Sequence, residues 1–505
     1  MNIVSKLRPT ALRLGDFFFF RQLLRLYYAL AVFCCGLACR LSRGGAALFA
    51  HRGWTRGDWK PGASDLDLFL VMRGGGITAS SSWAAKYGKL KKIFPMLGEW
   101  LAASEPELDI YLRHGDLRSA EFSATARKIC GSADISPRYS PSPEKLRVDA
   151  WNECFHAHVR LCGLFFSGQE EPLVCHGARK SLLDIERYRS ADINCVPPSR
   201  GEAEAALPQN SRLRVMLSGL SSCLPHESML EALVHSTLLL EREAGAILTL
   251  LKPEKASLDA DFIKACEHEC EANDKFCADL RNFFGAPFKG AVTDTMFESY
   301  FVFSWEFAQE AAESLTDFRR LACEHPALAG SKIVLGPHSM HLLSAGLKMG
   351  DAAACGCGQE GDASAVGISG EGFFAHHRRA YFLEALSGGW NISSPHAAEL
   401  RRGAFAKMLV SWRFDAFQGA PGECFGERLL YYWLPRAAHF YLFYVKDVEL
   451  SCYPAVPILE ELAVQVPHQS ELLRRLIEGR LSRHELQSCA ELVHELNCET
   501  ALVLK

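Results

Sequence analysis

The sequence has no excess of positive charge. Its 55 Lys and Arg residues are outnumbered by 59 Asp and Glu residues, which gives a formal net charge of −4 at pH 7. A chain with this balance has no general attraction to polyanions, although it leaves room for local basic patches. A protein that coats long nucleic acids is therefore disfavoured, and small or neutral substrates fit the charge better.

The sequence also lacks a regular cysteine framework. Its 19 cysteines are an odd number and are scattered through segments with helical periodicity. Secreted disulfide scaffolds instead space an even set of cysteines along a short chain. We therefore predict a reducing, cytoplasmic location.

No apolar run crosses the length of a bilayer without interruption. The longest apolar segment, residues 17–41, contains Arg21 and Arg25. Its uninterrupted part, residues 26–39, is shorter than the roughly 20 residues that a membrane-spanning helix needs. We predict a buried helix here and no membrane span, with a membrane anchor as the alternative.

Length and patterning predict about two or three domains in the 505 residues, of which 49% are apolar. Residues 16–135 form the first unit, with a strand near residues 46–50, a helix over 86–103 and a strand over 107–113. A proline-containing linker follows, and mainly helical domains are predicted over residues 144–350 and 372–505. The helical windows are residues 147–166, 226–251, 260–284, 294–321, 375–386, 404–417, 427–445 and 472–496.

The most informative segment is residues 52–71, where a glycine-rich turn runs into Asp65, Leu66, Asp67 and an apolar run. Successive side chains of a strand point to opposite faces, so the two aspartates project together from one face. Carboxylate oxygens are ligands that Mg²⁺ prefers, usually together with the phosphates of a bound nucleotide. The pattern therefore predicts a metal-dependent phosphoryl or nucleotidyl transferase.

This glycine-rich turn, followed by Ser-Asp-x-Asp and an apolar run, resembles the core motif of the DNA polymerase β-like nucleotidyltransferase superfamily, especially its small bacterial members that modify antibiotics. The resemblance implies an α/β core, made of a short mixed sheet with flanking helices, followed by a large, mostly α-helical region. It also implies that Asp65, Asp67 and a third carboxylate on a neighbouring strand hold two Mg²⁺ ions. By that pattern Asp109 is the third carboxylate, with Glu107 as the fallback.

The same resemblance implies where the nucleotide binds. The family's Gly-Ser pair is replaced here by Gly53 and Trp54, so that the nearest hydroxyl belongs to Thr55. Gly53 still permits a close backbone approach, and an arginine of the turn can add charge beside the phosphates. The expected nucleotide-binding residues are Gly53, Thr55, Arg56, Gly57 and Ser64.

The implied reaction moves a nucleoside monophosphate, with AMP from ATP preferred, to a hydroxyl or phosphate of a small-molecule acceptor. Two Mg²⁺ ions are the expected cofactors. Transfer to a protein or to the end of an RNA is one alternative. A catalytically silent member that acts as a binding module is another, and the altered Gly-Ser position favours it.

Overall fold

The computed structural model of the chain describes residues 17–251 and 397–505, with residue 282 and four short strands between them. Short gaps inside the two long ranges fall at residues 43, 61–63, 75, 167–170, 192–195, 221–224, 418–427, 449–454, 479 and 483–484.

A mixed four-stranded sheet forms the centre of the first unit. Its strands are β1 (Gly45–His51), β2 (Leu66–Met72), β3 (Leu97–Ser104) and β4 (Arg127–Gly131), in the spatial order β3-β2-β1-β4. Strand β1 runs antiparallel to both β2 and β4, whereas β2 and β3 are parallel. This confirms the predicted short mixed sheet and the strand expected near residues 46–50.

Helices cover both faces of this sheet. The alternation of β2 decides the two cores, because Leu68 packs with Trp83 on one face and Phe69 packs with Phe122 on the other. Asp67 lies on the same face of the sheet as Phe69, because every second residue of a strand points to the same face. The helices are α1 (Phe18–Arg40), the short α2 (Gly53–Arg56), α3 (Ile77–Ile93), α4 (Glu105–His114) and α5 (Leu117–Thr125).

Two predicted elements of this unit are wrong in part. The helix expected over residues 86–103 ends at Ile93, because Pro95 follows it and the chain then continues as strand β3. The strand expected over residues 107–113 is helix α4. The period-two pattern of that segment misled the prediction, since a capping box starts a helix there.

The capping box links Ser104 and Glu107. The Ser104 backbone amide donates to the Glu107 carboxylate over 2.6 Å, and the Glu107 amide donates to the Ser104 hydroxyl over 3.5 Å. Both residues are buried, and Pro106 lies in the first turn of the helix. Such reciprocal bonds satisfy the free amides of a helix start, so the local chain prefers a helix over a strand.

The rest of the described chain is mostly helical. Helices predicted over residues 147–166, 226–251 and 404–417 are confirmed, whereas 472–496 divides into two helices. The windows 260–284, apart from residue 282, and 375–386 lie outside the described residues. The elements are α6 (Pro143–Phe166), α7 (Glu171–Arg189), α8 (Arg200–Ala206), α9 (Arg212–Gly219), α10 (Pro225–Leu251), α11 (Ala397–Phe417), a π-helix (Arg428–Trp433), α12 (Leu434–Val445), α13 (Ala455–Gln465), a 3₁₀ turn (Pro467–Gln469), α14 (Ser470–Ile477) and α15 (Glu485–Val503).

A second four-stranded sheet occurs at the end of the domain predicted to be mainly helical, residues 144–350, and just beyond it. Its strands are β5 (Phe288–Asp294), β6 (Ser299–Ser304), β7 (Lys332–Gly336) and β8 (Ala354–Cys355), in the order β7-β6-β5-β8. Strand β5 is antiparallel to β6 and β8, and β6 is parallel to β7. The helix predicted over residues 294–321 is therefore wrong at its start, where the aromatic and β-branched residues of β6 suit a strand.

A buried ion pair ties helix α11 to the first unit. Arg413 is fully buried, and its Nη2 lies 2.8 Å from Oε1 of Glu107, which is 1% exposed. The same guanidinium donates to the backbone carbonyl of Ala102 over 3.3 Å. The C-terminal helices therefore pack directly on β3 and α4 of the first unit.

Helix α1 confirms the predicted helix, but only one side of it is buried as predicted. Tyr28, Ala31, Cys35 and Cys39 are buried against the sheet, whereas the opposite side of the helix is exposed. Its 23 residues are long and apolar enough to cross a membrane by length and composition, and 33% of its most apolar window is buried.

Candidate active site

The two aspartates of the motif converge beside strand β3. Asp67 lies in β2 and Asp65 stands directly before it. A Cβ atom on Gly98 of β3 would lie 2.5 Å from Oδ1 of Asp67 and 2.8 Å from Cβ of Asp65. Because glycine has no side chain, β3 can approach both aspartates at this point. The structure therefore brings together the two residues on which the sequence motif centres.

A third carboxylate reaches the same place from β3. The pairing of β2 with β3 shifts register here, so Gly98 and Glu99 together oppose Asp67. The backbone amide of Glu99 donates to Oδ1 of Asp67 over 3.2 Å. Irregular pairing of this kind redirects a side chain, and it is frequent next to active sites. Glu99 is thus the carboxylate on the strand beside Asp67.

Asp109, expected as the third carboxylate, belongs to a different environment. It lies on helix α4, where its Oδ2 accepts from Nε of Arg113 over 2.9 Å and its Oδ1 accepts from Arg138. The strand on which that expectation rested is absent there, because residues 105–114 are helical. Glu107, the fallback, is the buried capping residue of the same helix.

Glu99 escaped notice because residues 97–103 were absorbed into the predicted helix. Pro95 is a helix-breaking signal just before them, and Gly98 is a second warning against a helix interior. After this glycine the strand alternates, with Trp100 and Ala102 packing on one face of the sheet and Leu101 and Ala103 on the other. The sequence therefore carried a signal for this strand.

A guanidinium lies between the carboxylates. Nη1 of Arg52 is 2.7 Å from Oε2 of Glu99 and 3.6 Å from Oδ2 of Asp67. Burial opposes the charge, but the carboxylates of Glu99 and Asp67 raise the pKa of Arg52 above its usual value. Arg52 also has φ of 62°, a left-handed conformation that is uncommon for a residue with a side chain. The pocket therefore holds a positive charge.

Among the described residues, the three metal-ligand types that lie close enough together to hold one ion are found elsewhere, and Asp65, Asp67 and Glu99 do not form such a group. Ligand atoms of Glu107, His494 and Cys498 lie within 4.8 Å of one another. Nη2 of Arg413 is 2.8 Å from Glu107 and 3.4 Å from Nδ1 of His494. Burial raises the pKa of the Cys498 thiol to about 11, so the thiol is neutral at pH 7. The guanidinium already supplies the positive charge of this cluster.

The glycine-rich turn forms the short helix α2. A Cβ placed on Gly53 would lie 3.9 Å from Nη1 of Arg200, in van der Waals contact with that guanidinium. The Thr55 hydroxyl donates to the carbonyl of Arg52 over 3.0 Å. Gly57 ends the helix with φ of 78°, a conformation that favours glycine. Gly53 and Gly57 thus shape the turn, and the Thr55 hydroxyl supports it.

Arg56 and Ser64, both expected beside phosphate, are held in local structure. The Arg56 side chain is 5% exposed, with Nη1 2.6 Å from Oε1 of Glu121 and Nη2 3.5 Å from Oδ2 of Asp58. Burial lowers the pKa of Arg56. The Ser64 hydroxyl accepts from the backbone amide of Lys60 over 2.8 Å. These side chains support the loop.

Two aromatic side chains flank the turn. His51 pairs with Asp67 across β1 and β2, and burial together with the charge of Arg52 lowers the pKa of His51 to about 3. Its neutral imidazole meets the ring of Phe122 edge-on, with centroids 5.8 Å apart. Trp54 packs on the core cluster of the opposite sheet face. Its indole is therefore directed away from the carboxylates.

Helix α7 carries two basic residue types on one face, and one of them, Lys180, interacts with Asp67. His176 and Lys180 are one turn apart and so share a face of this helix. Lys180 keeps solvent contact, yet desolvation and the guanidinium of Arg200 lower its pKa to about 8, while Asp67 acts in the opposite direction. Desolvation and the charge of Lys60 lower the pKa of His176 to about 4. Of the two, only Lys180 interacts with Asp67, and the His176 imidazole is neutral at pH 7.

Arg200 joins this basic face to the glycine-rich turn. It is the first residue of α8, and a capping box of Ser199 and Glu202 starts that helix. Its Nε lies 2.8 Å from Oδ1 of Asp184, and its backbone amide donates to Asp58 over 3.0 Å. Arg200 and Lys180 were missed because no local pattern links them to the motif.

No family model matches the chain, and neither a curated protein nor a solved structure matches it. Function is therefore inferred from the side chains themselves. Asp65 and Asp67 approach Gly98, the guanidinium of Arg52 lies between Asp67 and Glu99, and the charge of Asp67 acts on Lys180 of α7. This arrangement suits a ligand that combines cations with a polyanion.

Proposed function

We propose that the chain is a nucleotidyltransferase that moves a nucleoside monophosphate, AMP in the first instance, from a nucleoside triphosphate to a small-molecule hydroxyl or phosphate. The observation that carries the proposal is that Asp65 and Asp67 both approach Gly98 of β3, while Glu99 of the same strand shares the guanidinium of Arg52 with Asp67. Glu99 stands on the strand next to Asp67, which is where the superfamily pattern requires its third carboxylate.

The carboxylates suit divalent cations. The guanidinium of Arg52 lies against Glu99 and Asp67, so the side chains present already stabilise a positive charge at this position. Two Mg²⁺ ions held by Asp65, Asp67 and Glu99 would lower the pKa of an acceptor hydroxyl and stabilise the leaving pyrophosphate. Arg52 keeps a 28% exposed side chain and has room to turn toward the phosphates when metal enters.

The basic face suits the triphosphate. Gly53 has no side chain to block phosphate oxygens from the backbone, and the guanidinium of Arg200 lies beside it, 3.9 Å from where a Cβ would stand. Lys180 is protonated below pH 8 and gains from an anion, because a phosphate offsets the repulsion from Arg200. These groups would orient the nucleotide for in-line attack at the α-phosphorus.

A catalytically silent binding module is the second candidate, and Arg52 favours it. A guanidinium that stays between Asp67 and Glu99 replaces a metal ion instead of giving way to it. The substitution of Trp54 for the family's hydroxyl points in the same direction. The two candidates differ in whether Mg²⁺ binds to the wild-type chain.

Calorimetric titration with Mg²⁺ and a non-hydrolysable ATP analogue tests the proposal. We expect metal-dependent nucleotide binding in the wild type and its loss in Asp67→Asn and Glu99→Gln. Asp109→Asn is the matched control, because Asp109 lies on helix α4 and its carboxylate pairs with Arg113 and Arg138. This variant should bind as the wild type does. Binding lost in Asp109→Asn but kept in Glu99→Gln would refute the assignment.

Pyrophosphate release then separates the candidates. Release with a panel of small hydroxyl and phosphate acceptors supports the enzyme, and release only with RNA or protein moves the acceptor to a macromolecule. Nucleotide binding without release from any acceptor, even in Arg52→Ala, would support the silent module.

A further inference from the structure

Helix α1 exposes an apolar stripe on the side that faces away from the sheet. The stripe consists of Leu23, Leu26, Leu30, Phe33 and Leu37, with exposures of 47%, 67%, 49%, 69% and 50%. Their spacing of three and four residues puts them on one side of the helix. The helix begins with further exposed aromatics, Phe17, Phe18, Phe19 and Phe20. Exposed apolar surface of this extent marks an interaction site.

The opposite side of α1 is held firmly by the first unit. The Tyr28 hydroxyl donates to the carbonyl of Ser64, and its ring lies 4.8 Å from that of Trp59. Gly36 approaches β4 so closely that a Cβ would lie 3.0 Å from Ile129. Because this side is packed along the sheet, the helix presents one face only and lies flat on whatever it contacts.

A rim of positive charge borders the stripe. Helices α1 and α3 and strand β4 contain three, four and two Lys or Arg residues, with no Asp or Glu in any of the three elements. This contrasts with the net charge of −4 for the whole chain. The rim residues with exposed side chains are Arg21, Arg25, Arg40, Lys89, Lys92, Arg127 and Lys128.

We propose that α1 docks in the plane of an anionic lipid bilayer, with its apolar stripe among the acyl chains and the basic rim on the headgroups. An apolar helix face flanked by Lys and Arg is the composition of an interfacial helix. A second copy of the chain fits less well, because a symmetric pairing of two stripes would bring two positive rims together. An anionic surface neutralises the rim instead.

Vesicle sedimentation with the full chain tests this. The wild type should pellet with vesicles of phosphatidylcholine and phosphatidylserine, and much less with phosphatidylcholine alone. Phe33→Asp should abolish pelleting, whereas Val464→Asp is the control, because both native side chains are 69% exposed. Circular dichroism should show both variants folded, since neither side chain is part of a core.

The charge of the rim is tested separately. Lys89→Ala with Lys92→Ala should weaken binding to the anionic vesicles by about fivefold for each lysine removed. The control removes two exposed charges from other elements, Arg212→Ala with Arg480→Ala, and should leave binding unchanged.

Three results would overturn the proposal. The wild type could fail to pellet with anionic vesicles, or Phe33→Asp could pellet as well as Val464→Asp. A wild-type dimer in light scattering that Phe33→Asp converts to a monomer, with no lipid binding, would make the stripe an interface between copies. None of these outcomes bears on nucleotide binding, so the two proposals stand or fall independently.

Discussion

Replacing Arg52 by alanine tests whether its guanidinium holds the place of a metal ion. Nη1 of Arg52 lies 2.7 Å from Glu99 and 3.6 Å from Asp67. The side chains of Arg52 and Glu99 are 28% and 34% exposed, so solvent screens the pair and its strength is that of a partly exposed salt bridge. Such pairs stabilise by about 1 kcal/mol or less, a factor of up to about five in an equilibrium constant.

Arg52→Ala should therefore raise the affinity for Mn²⁺ or Mg²⁺ alone by up to about fivefold, because the metal no longer competes with the guanidinium. The affinity for the metal–nucleotide complex should fall, because the charge proposed to turn toward the phosphates is lost. Arg52→Lys keeps a cation and should bind metal as the wild type does. Titration calorimetry with metal alone, then with metal and nucleotide, measures both effects.

Arg138→Ala is the control for removing an arginine from a carboxylate pair, because it contacts Asp109 and Asp134 outside the site. Equal metal affinity in Arg52→Ala and Arg52→Lys would refute the competition. A loss of metal binding in Arg52→Ala would show that the guanidinium supports the carboxylates instead of occupying their metal position.

Three further predictions concern single contacts. Gly98→Ala places a Cβ within 2.8 Å of both aspartates, so it should abolish metal binding and lower the free energy of unfolding in urea by about 1–3 kcal/mol. Gly88→Ala is the control, because its Cβ meets no atom within 4 Å and should leave metal binding and stability unchanged. Lys180 holds its proton up to pH 8 when folded and up to 10.5 when unfolded, so the unfolding free energy should rise between these values, and Lys180→Met should flatten that rise; identical pH profiles would contradict the shift. Arg413→Met leaves the buried Glu107 charge unpaired and should cost about 3–5 kcal/mol in thermal or urea unfolding, with a smaller cost when Glu107→Met is added; equal costs would show that the ion pair is not the cause.

Local patterns predicted several elements well. The apolar run after Gly45 is strand β1, and the periodic windows that became α6 and α10 are helices at nearly the expected bounds. The alternation around Asp65 and Asp67 also held, because the side-chain period of a strand is a property of the strand itself. Such features depend on residues a few positions apart.

Other predictions failed where two local signals competed. Residues 107–113 alternate like a strand, but the reciprocal bonds of Ser104 and Glu107 start a helix. Residues 97–103 continue a helical pattern, but Pro95 ends the helix and β2 supplies hydrogen bonds for a parallel strand. The expectation for Asp109 failed with the first of these errors, and Glu99 was overlooked because of the second.

Helix α1 shows a different kind of ambiguity. Its own apolar residues occur on nearly all sides, so its composition predicts burial but does not indicate which side contacts the sheet. Packing of Tyr28 and Gly36 of this helix on the first unit buried one side and left the stripe around Phe33 on the surface. The same residues that suggested a core helix therefore became a candidate docking surface.

The sequence alone was enough to place Asp65 and Asp67 on the same side of the chain after a glycine-rich turn. Alternate residues of an extended chain point to the same side. The residues near that pair come from distant segments of the chain. Glu99 is placed there by the hydrogen bonds between β2 and β3, and Lys180, with Arg200 beside it, by the packing of helices α7 and α8. Those contacts depend on which strands and helices associate, and this association is set by burial over the whole fold.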